Sequence, residues 1–225
     1  QLCQNLSSHL FPTTTYHYNS GGEPDHIVDL SYDDLLQFYR HHYHPSNAIF
    51  ATYGDIPAHE HHEKFEELAL KRFDRLDIDL PVRDEKRMFA PVRVEQGYAV
   101  NEGEGTDNKT HIVVGWLLGH SFDLQENLEG QLLSAVLLEN SASPLMRALE
   151  TTDLGHAPSP MCGLEDSNRE MTFVCGIEGS EPDKHKDLEA LLESTLLKVV
   201  EEGVSQERLE AILHQLELHQ REIAG

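Results

Sequence analysis

The chain has 225 residues, of which 39% are hydrophobic, so it is long enough and apolar enough to bury a substantial core. Its 40 acidic and 17 basic residues give a net charge of -23, which disfavours nucleic acid and anionic membrane surfaces as partners. An acidic solvated surface explains this charge most simply, and a field that attracts basic peptides is the functional alternative. No apolar run approaches the roughly 20 residues of a membrane span. Three cysteines argue against a disulfide framework and for a reducing compartment.

The first part of the chain opens with two helical patterns. Leucines recur at helical spacing over 1–10, so the chain is expected to begin inside a helix, as a piece of something longer. After a loop rich in Thr, Gly and Pro, Ser31 and Asp34 form a capping-box pattern that predicts a helix ending before Pro45. The side chains that this helix is predicted to bury are Tyr32, Leu35, Leu36, Tyr39 and Tyr43.

A short strand, a further helix and a linker are predicted next. The apolar run 48–53 predicts a strand, and 57–73 predicts a helix. The inward side chains of that helix are predicted to be Phe65, Leu68, Ala69 and Phe73. Residues 74–87 are charged and lack a sustained period, which predicts a linker between two units.

The second part of the chain contains four strand patterns. Alternation over 92–95 predicts a half-exposed strand, and 112–118, the most apolar run in the sequence, predicts a buried strand paired antiparallel with it. Two further strands are predicted over 161–164 and 171–177. They form a hairpin that turns at 165–169.

Helical patterns lie between and after these strands. Apolar residues at three- and four-residue spacing predict a helix over 124–139. Ser143 is predicted to cap the next helix, with Pro144 at its first position and Gly155 ending it in the left-handed conformation.

Two long helices close the sequence. Apolar residues over 188–199 share one face of a helix that stops at Gly203, and Ser205 is predicted to cap the last helix. The inward side chains of the last helix are predicted to be Leu209, Ile212, Leu213 and Leu216. Together the patterns predict an α+β fold, an α/β sandwich in which helices pack on a largely antiparallel sheet. The predicted domains are an incomplete one over 1–82, with a single strand, and a complete one over 83–225.

Fifteen histidines raise the question of a metal site. Zinc needs three or four converging ligands, and HxxEH-type spacing on a helix provides them. The clusters at 41–44 and 59–63 lack that spacing, and the segment from His214 to His219 is one residue too long for it. Surface histidine is the preferred interpretation, and an independent metal site built from the clusters is the weaker alternative.

The other candidate residues carry no catalytic pattern. Residues 103–105 contain two glycines, but the third glycine and the lysine that a phosphate-binding loop requires are missing. The serines of 141–143 do not stand in a nucleophile-elbow sequence. Cys162 and Cys175, neighbours in the predicted hairpin, have no histidine placed by a local motif. The sequence therefore predicts no catalytic and no metal-binding residue in this chain, and it leaves the substrate-binding residues unknown.

Four blocks of sequence carry a family resemblance. They are the segment 10–56, WLLGHSFD at 116–123, NSASPLMRALETTDLG at 140–155, and EEGVSQERLEAILHQLELHQRE at 201–222. In order and over nearly the whole chain, they resemble the presequence proteases, which are zinc metallopeptidases of the pitrilysin/insulinase superfamily.

The resemblance implies a large four-domain protein whose two halves enclose a peptide-degrading chamber. Its zinc would be held by an HxxEH helix and a later glutamate, all upstream of this internal fragment. By this resemblance, 1–82 would be the C-terminal part of the catalytic domain and 83–225 a second pitrilysin-like α/β domain. The fragment is then expected to be inactive alone and to bind no cofactor. Its implied role is to wall the chamber and support the catalytic domain. The implied partners are the remaining domains of the same polypeptide and oligopeptides such as targeting peptides, with no nucleic acid and no membrane.

One alternative belongs to a different functional class. The chain could come from a non-catalytic homologue of the superfamily that serves as a scaffold or partner subunit. An HxxEH motif in the upstream sequence would distinguish the peptidase from the scaffold. The expected location is a bacterial cytoplasm or an organelle matrix, each a reducing compartment.

Overall fold

The computed structural model describes residues 1–78 and 80–223. They form two compact units: a sheet unit of Gln1–His17 with the residues from Asp84 onward, and a helical unit of Tyr18–Arg83. The helices are α1 (Leu2–Leu10), α2 (Pro24–Ile27), α3 (Tyr32–His42), α4 (Ala58–Leu68), α5 (Leu124–Leu138), α6 (Pro144–Thr151), α7 (His185–Glu202) and α8 (Gln206–Ile223). The strands are β1 (Thr110–His120), β2 (Ala157–Pro158), β3 (Gly163–Glu165) and β4 (Glu170–Ser180). Among the described residues, we find no helix whose length and apolarity would let it span a membrane.

The sheet unit is built around β4. This strand pairs antiparallel with β1 along one edge, and with β2 and β3 along the other. In the β1–β4 register, Val114 lies opposite Cys175. The predicted strands at 112–118 and 171–177, the hairpin between β3 and β4, and the α+β fold with an antiparallel sheet are therefore confirmed.

Helices α5 to α8 supply the core that covers one face of this sheet. The buried core consists of Val136, Leu137, Leu138, Leu145, Leu149, Phe173, Cys175, Ile177, Leu188, Leu192 and Ile212. Because each large aliphatic side chain contributes about 1.5–3 kcal/mol when it is fully buried, this cluster dominates the stability of the unit. The helices predicted over 124–139 and 188–199 are confirmed as α5 and α7. Gly203, at a φ of 72°, ends α7 as predicted.

Helix α1 packs on the opposite face of the sheet, where glycines make room for it. A Cβ atom on Gly115 of β1 would lie 3.1 Å from side-chain carbons of Leu6 and Leu10, so the leucines of α1 rest directly on the strand.

On β4, a Cβ atom on Gly176 would lie 2.2 Å from the carbonyl oxygen of Ile112. The close approach of β1 and β4 therefore requires glycine at this position.

The kink between α5 and α6 is held by an arginine from α8. The Arg208 guanidinium donates to the carbonyl oxygens of Val136 and Ala142, each at 3.1 Å, and to the Ser143 hydroxyl at 2.7 Å. Pro144 occupies the first position of α6, as predicted. Ser143 occupies the N-cap position of α6 as predicted, but its side chain does not bond the helix amides, because the buried hydroxyl accepts from Arg208 and from the Asn140 amide instead.

Two details near these helices also differ from prediction. Gly155 does not end α6, which stops at Thr151. Gly155 instead allows a loop to approach β4, since a Cβ atom there would lie 2.8 Å from the Glu178 carbonyl oxygen. Ser205 starts α8 as predicted, but Leu213 on that helix is exposed rather than inward.

The predicted helices of the helical unit are present, but most of the side chains that were predicted to be buried are exposed. The Ser31–Asp34 capping box is present at the start of α3. Tyr32, Leu35, Tyr39 and Tyr43 are nevertheless more than half exposed and Leu36 is half-buried, because no described residue packs fully over them. The helix predicted over 57–73 ends at Leu68 and continues only as a short 3-10 turn; Phe65 and Ala69 are half-buried, while Leu68 and Phe73 are exposed.

Two predicted strands are absent from the described residues. Residues 48–53 form no strand, and Ile49 and Tyr53 are fully exposed, because no neighbouring strand among the described residues supplies hydrogen-bond partners. Residues 92–95 do not pair with β1. Arg93 forms a forked ion pair with Glu189 of α7 instead.

The predicted domain limits, 1–82 and 83–225, stay a prediction about a longer protein. The compact units of this chain divide after Arg83, and the N-terminal Gln1–His17 packs with the residues that follow Asp84. The residues 18–83 are therefore an insertion within the sheet unit.

Replacing Arg208 with alanine should lower the free energy of unfolding by about 1–2 kcal/mol, because three acceptors lose a charged donor. Chemical denaturation followed by circular dichroism measures the loss. The control is Arg221→Ala, which removes an exposed pair with Glu217 on the same helix and should cost less than about 0.5 kcal/mol. Equal losses in the two variants would contradict the role assigned to Arg208.

Replacing Gly176 with alanine should destabilise the chain by more than about 3 kcal/mol or prevent folding, because the new methyl group overlaps the backbone of β1. Gly97→Ala is the matched control, since no atom lies within 4 Å of a Cβ atom built there. Thermal and chemical unfolding compare the two. A loss below about 1 kcal/mol for Gly176→Ala would show that the strands separate easily.

Candidate functional site

A cluster of charged and polar side chains lies at the end of the sheet where β1 stops and β4 starts. We name it the polar clasp. Its members are Thr13, Tyr16, Asp84, Glu85, Arg87, His120, Glu126, Arg169 and Glu170. All belong to the sheet unit, and they come from five separate places in the sequence. The clasp joins the two segments that border the insertion 18–83.

Glu85 is the acceptor at the centre of the clasp. Its buried carboxylate accepts from the Thr13 hydroxyl at 2.6 Å and from the backbone amides of Thr13, Lys86 and Thr14 at 2.8, 2.8 and 3.1 Å. Burial alone would raise the pKa of Glu85, but these donors outweigh it and hold the pKa below its ordinary value. The ionised carboxylate therefore ties the loop after α1 to the segment 84–87.

Glu170, the first residue of β4, holds the same segment from the other side. Its side chain is 3% exposed and accepts from the Glu85 amide at 2.5 Å and from the Arg87 guanidinium at 2.9 Å. Arg87 also donates to the carbonyl oxygen of Leu118 in β1. Because a buried carboxylate needs both a counter-ion and hydrogen bonds, Arg87 and the Glu85 amide together make the burial of Glu170 tolerable.

Arg169, in the turn before β4, lies between the two bordering segments. Its Nε atom donates to Asp84 at 2.7 Å, and its backbone amide donates to the Tyr16 hydroxyl at 2.8 Å. Its guanidinium carbon also lies 4.9 Å from the centre of the Phe122 ring, within the range of a cation–π contact. The Arg169 hydrogen bond and then that of His120 lower the pKa of Asp84.

His120, the last residue of β1, lies between two carboxylates. Its Nε2 atom is 3.3 Å from Asp84 and its Nδ1 atom is 3.2 Å from Glu126, in the first turn of α5. Gly119 permits this arrangement, since a Cβ atom there would lie 2.5 Å from the Glu126 carboxylate. The hydrogen bond with Asp84 is the main cause that raises the pKa of His120, and Glu126 adds to it.

The contacts of the polar clasp fit a structural role, the holding of chain segments, better than a catalytic role. Each of its carboxylates already accepts from a cation or from a buried donor, so none is left to activate water as a general base. Both ring nitrogens of His120 face carboxylates, which favours the imidazolium form in which both nitrogens donate.

The histidine clusters noted in the sequence lie elsewhere, and nothing brings them together as a metal site. His42 stacks on Phe38 with ring centres 4.0 Å apart, and the Nδ1 atom of the buried His44 accepts from the Ser46 amide at 3.1 Å. Over residues 1–78 and 80–223, no group of three or more His, Cys, Asp or Glu side chains is placed to hold a metal ion. The residues described here do not fit a zinc site.

Cys162, which precedes β3, and Cys175 of β4 are free thiols. The Cys162 thiol donates to the Gly176 carbonyl oxygen at 3.5 Å, and Cys175 is completely buried in the core. Burial raises the pKa of Cys162 and raises that of Cys175 to about 12, so both remain protonated at neutral pH. Protonated thiols are poor nucleophiles.

Sequence reasoning did not find the polar clasp. Residues 84–87 have the composition of a charged linker, and their partners lie up to 85 residues away in the sequence. The one local signal is the block WLLGHSFD, in which a histidine follows an apolar strand directly. That signal does not identify the carboxylates that His120 meets.

Comparisons with known proteins find a matching family model and similar longer proteins. The family model described as the peptidase M16 inactive domain matches residues 29–216. The mitochondrial presequence protease of Xenopus tropicalis is 34% identical over 223 residues, which is 97% of this chain and 21% of that protein. The Mus musculus enzyme of the same name is also 34% identical, over 96% of this chain and 21% of its own length. Protein HypA of Clostridium perfringens is 27% identical over 98% of this chain and 22% of its own length. The chain thus spans about a fifth of the length of the curated relatives it matches.

Replacing Glu85 with glutamine should lower the free energy of unfolding by about 2–3 kcal/mol. The amide group would turn a donor toward the backbone and hydroxyl donors of Thr13 and Lys86, leaving buried groups unsatisfied. Since the pKa of Glu85 is lowered in the folded chain, this stabilisation is present above about pH 4.5 and disappears as the pH falls through the folded pKa. Urea unfolding at pH 7 and at pH 3 measures the difference between the variant and the wild type.

The control Glu102→Gln, at an exposed position, should change stability at neither pH. A Glu85→Gln loss that is the same at both pH values would contradict the assignment.

Proposed function

This chain belongs to the peptidase M16 family, which it matches through the inactive domain, and we propose that it is the non-catalytic part of a larger zinc metallopeptidase. The observation that carries the proposal is the inactive-domain match over residues 29–216, which covers most of the chain. The predicted resemblance to presequence proteases is confirmed by relatives of that name at 34% identity. The zinc of the whole enzyme would then be bound by residues outside this chain.

The proposed substrates are oligopeptides resembling targeting peptides, degraded in an enclosed chamber. The names of the relatives support this class, because a presequence protease acts on presequences. The charge of this chain supports it as well. Its net charge of -23 generates a negative potential that raises the local concentration of basic peptides. Exposed glutamates are concentrated on α4, at positions Glu60, Glu63, Glu66 and Glu67.

The second part of the proposal is that this chain supports the catalytic domain of the same polypeptide. Helix α3 supports it, because its apolar side chains Leu35, Phe38 and Tyr39 are each more than half exposed. Contiguous exposed apolar side chains mark surfaces that another protein surface covers. The relatives are nearly five times as long as this chain. The proposal is therefore that further domains of the same polypeptide cover the apolar side chains of α3.

The proposed location is a reducing compartment, either an organelle matrix or a bacterial cytoplasm. The relatives named as mitochondrial support the first and the clostridial relative supports the second. The three cysteines, all free, fit both.

The alternative function is a scaffold or partner subunit without peptidase activity. It requires that the zinc motif be lost from the whole protein. The presence of an HxxEH motif in the upstream part of the natural polypeptide would exclude it.

The test uses the full-length protein that contains this chain, with basic, neutral and acidic peptides of equal length. At low salt the basic peptide should have a kcat/KM about tenfold or more above that of the acidic peptide, because the negative field speeds its association. The neutral peptide is the control for length and sequence. Raising the salt to about 0.5 M should bring the three values together, since the field is then screened within a few ångströms. Equal rates at every salt concentration would overturn the acidic chamber wall, and the absence of cleavage would favour the scaffold.

A further inference from the structure

The polar clasp contains one histidine, the side-chain type whose ordinary pKa lies closest to neutral pH, and it contacts the segment that follows the insertion. We propose that His120 makes the polar clasp a pH-sensitive latch, which holds residues 84–87 when the imidazole is charged and loosens them when it is neutral. The proposal concerns the sheet unit alone and does not depend on peptidase activity.

The geometry of His120 favours the charged form. Its Nε2 atom lies 3.3 Å from Asp84, which directly follows the insertion, and its Nδ1 atom lies 3.2 Å from Glu126 on α5. A neutral imidazole carries one N–H group and can donate to only one of these carboxylates. Loss of the proton therefore breaks one of the two bridges. The side chain is 31% exposed, so its proton exchanges with solvent without unfolding of the chain.

The charges around His120 change from balanced to unbalanced when it loses its proton. Asp84 faces it from the segment 84–87 and Glu126 from α5, while Arg169 pairs with Asp84 from the turn before β4. The Glu170–Arg87 pair lies beside them and neutralises itself. With His120 charged, two cations face two carboxylates. With His120 neutral, Arg169 still pairs with Asp84 but Glu126 has lost its cation, and the two carboxylates repel each other.

The direction of the pH dependence follows from the two pKa shifts. The hydrogen bond that His120 donates to Asp84 raises the pKa of His120, so the stabilisation is fully present below about pH 6.5 and is lost as the pH rises through the folded pKa. The pKa of Asp84 is lowered, chiefly by Arg169, so Asp84 stays ionised over this range. The imidazole is therefore the group that titrates.

The latch loosens the segment without releasing it. The bond from Arg169 to Asp84 and the four hydrogen bonds to Glu85 do not depend on His120. Deprotonation should therefore increase local opening by a small factor and leave the fold intact.

The test is amide hydrogen exchange of the full 225-residue chain between pH 6 and pH 8.5, corrected for intrinsic exchange rates. The amides to follow are those of Glu85, bonded to Glu170, and Lys86, bonded to Glu85. In the wild type their protection should fall about two- to fivefold as the pH rises. In His120→Gln the protection should be low and the same at both pH values. Asp84→Asn removes the partner on the segment itself and should also abolish the pH dependence.

His111→Gln is the matched control, because His111 also lies on β1 and faces a carboxylate, Glu178, but at the other end of the strand. It should keep the wild-type pH dependence of the two amides. Protection in the wild type that does not change with pH would overturn the proposal. A pH dependence that survives in both His120→Gln and Asp84→Asn would overturn it as well.

Discussion

The pairing of β1 with β4 is the constraint on which the rest of the sheet unit depends. Gly176 brings the two strands together, because any side chain there would overlap the backbone of Ile112. The register that follows turns Phe173, Cys175 and Ile177 toward the helices and leaves the other face open to α1. The same register places the end of β1 beside the start of β4, so that His120 and Glu170 meet. The core and the polar clasp are thus two consequences of one strand pairing.

The clasp shows how a very acidic chain holds segments that are distant in sequence. Buried carboxylates are costly unless cations and hydrogen-bond donors surround them. Arg87 and Arg169, two of only 17 basic residues, are both used at this point. The segment that leaves for the insertion 18–83 and the segment that returns from it are fixed to the same buried groups. The clasp therefore fixes the two segments of the sheet unit that border the insertion, and one of its members is a histidine whose pKa is raised by Asp84.

Local sequence patterns predicted the elements that depend on neighbouring residues. They failed for strand pairing and burial, which depend on residues distant in the sequence. The periodicity of α5 and α7, the apolar run of β1 and the capping box of α3 all found their elements. The apolar run 48–53 and the alternation over 92–95 indicate only that these residues suit a strand, and a strand also needs a neighbour. The burial predicted for α3 likewise required a covering surface. The clasp was beyond prediction because nothing near residues 84–87 shows that they meet β4. The family came from whole blocks of sequence and not from any single residue.

The most direct test of a non-catalytic role is zinc content and peptidase activity measured together on the purified, tag-free and dialysed chain. Elemental mass spectrometry gives the zinc, and a quenched fluorescent peptide gives the activity. We expect zinc far below stoichiometric amounts and no cleavage, because no metal site forms among residues 1–78 and 80–223. Stoichiometric zinc, with cleavage that a chelator abolishes, would contradict it and would bring the histidine clusters back as an independent metal centre.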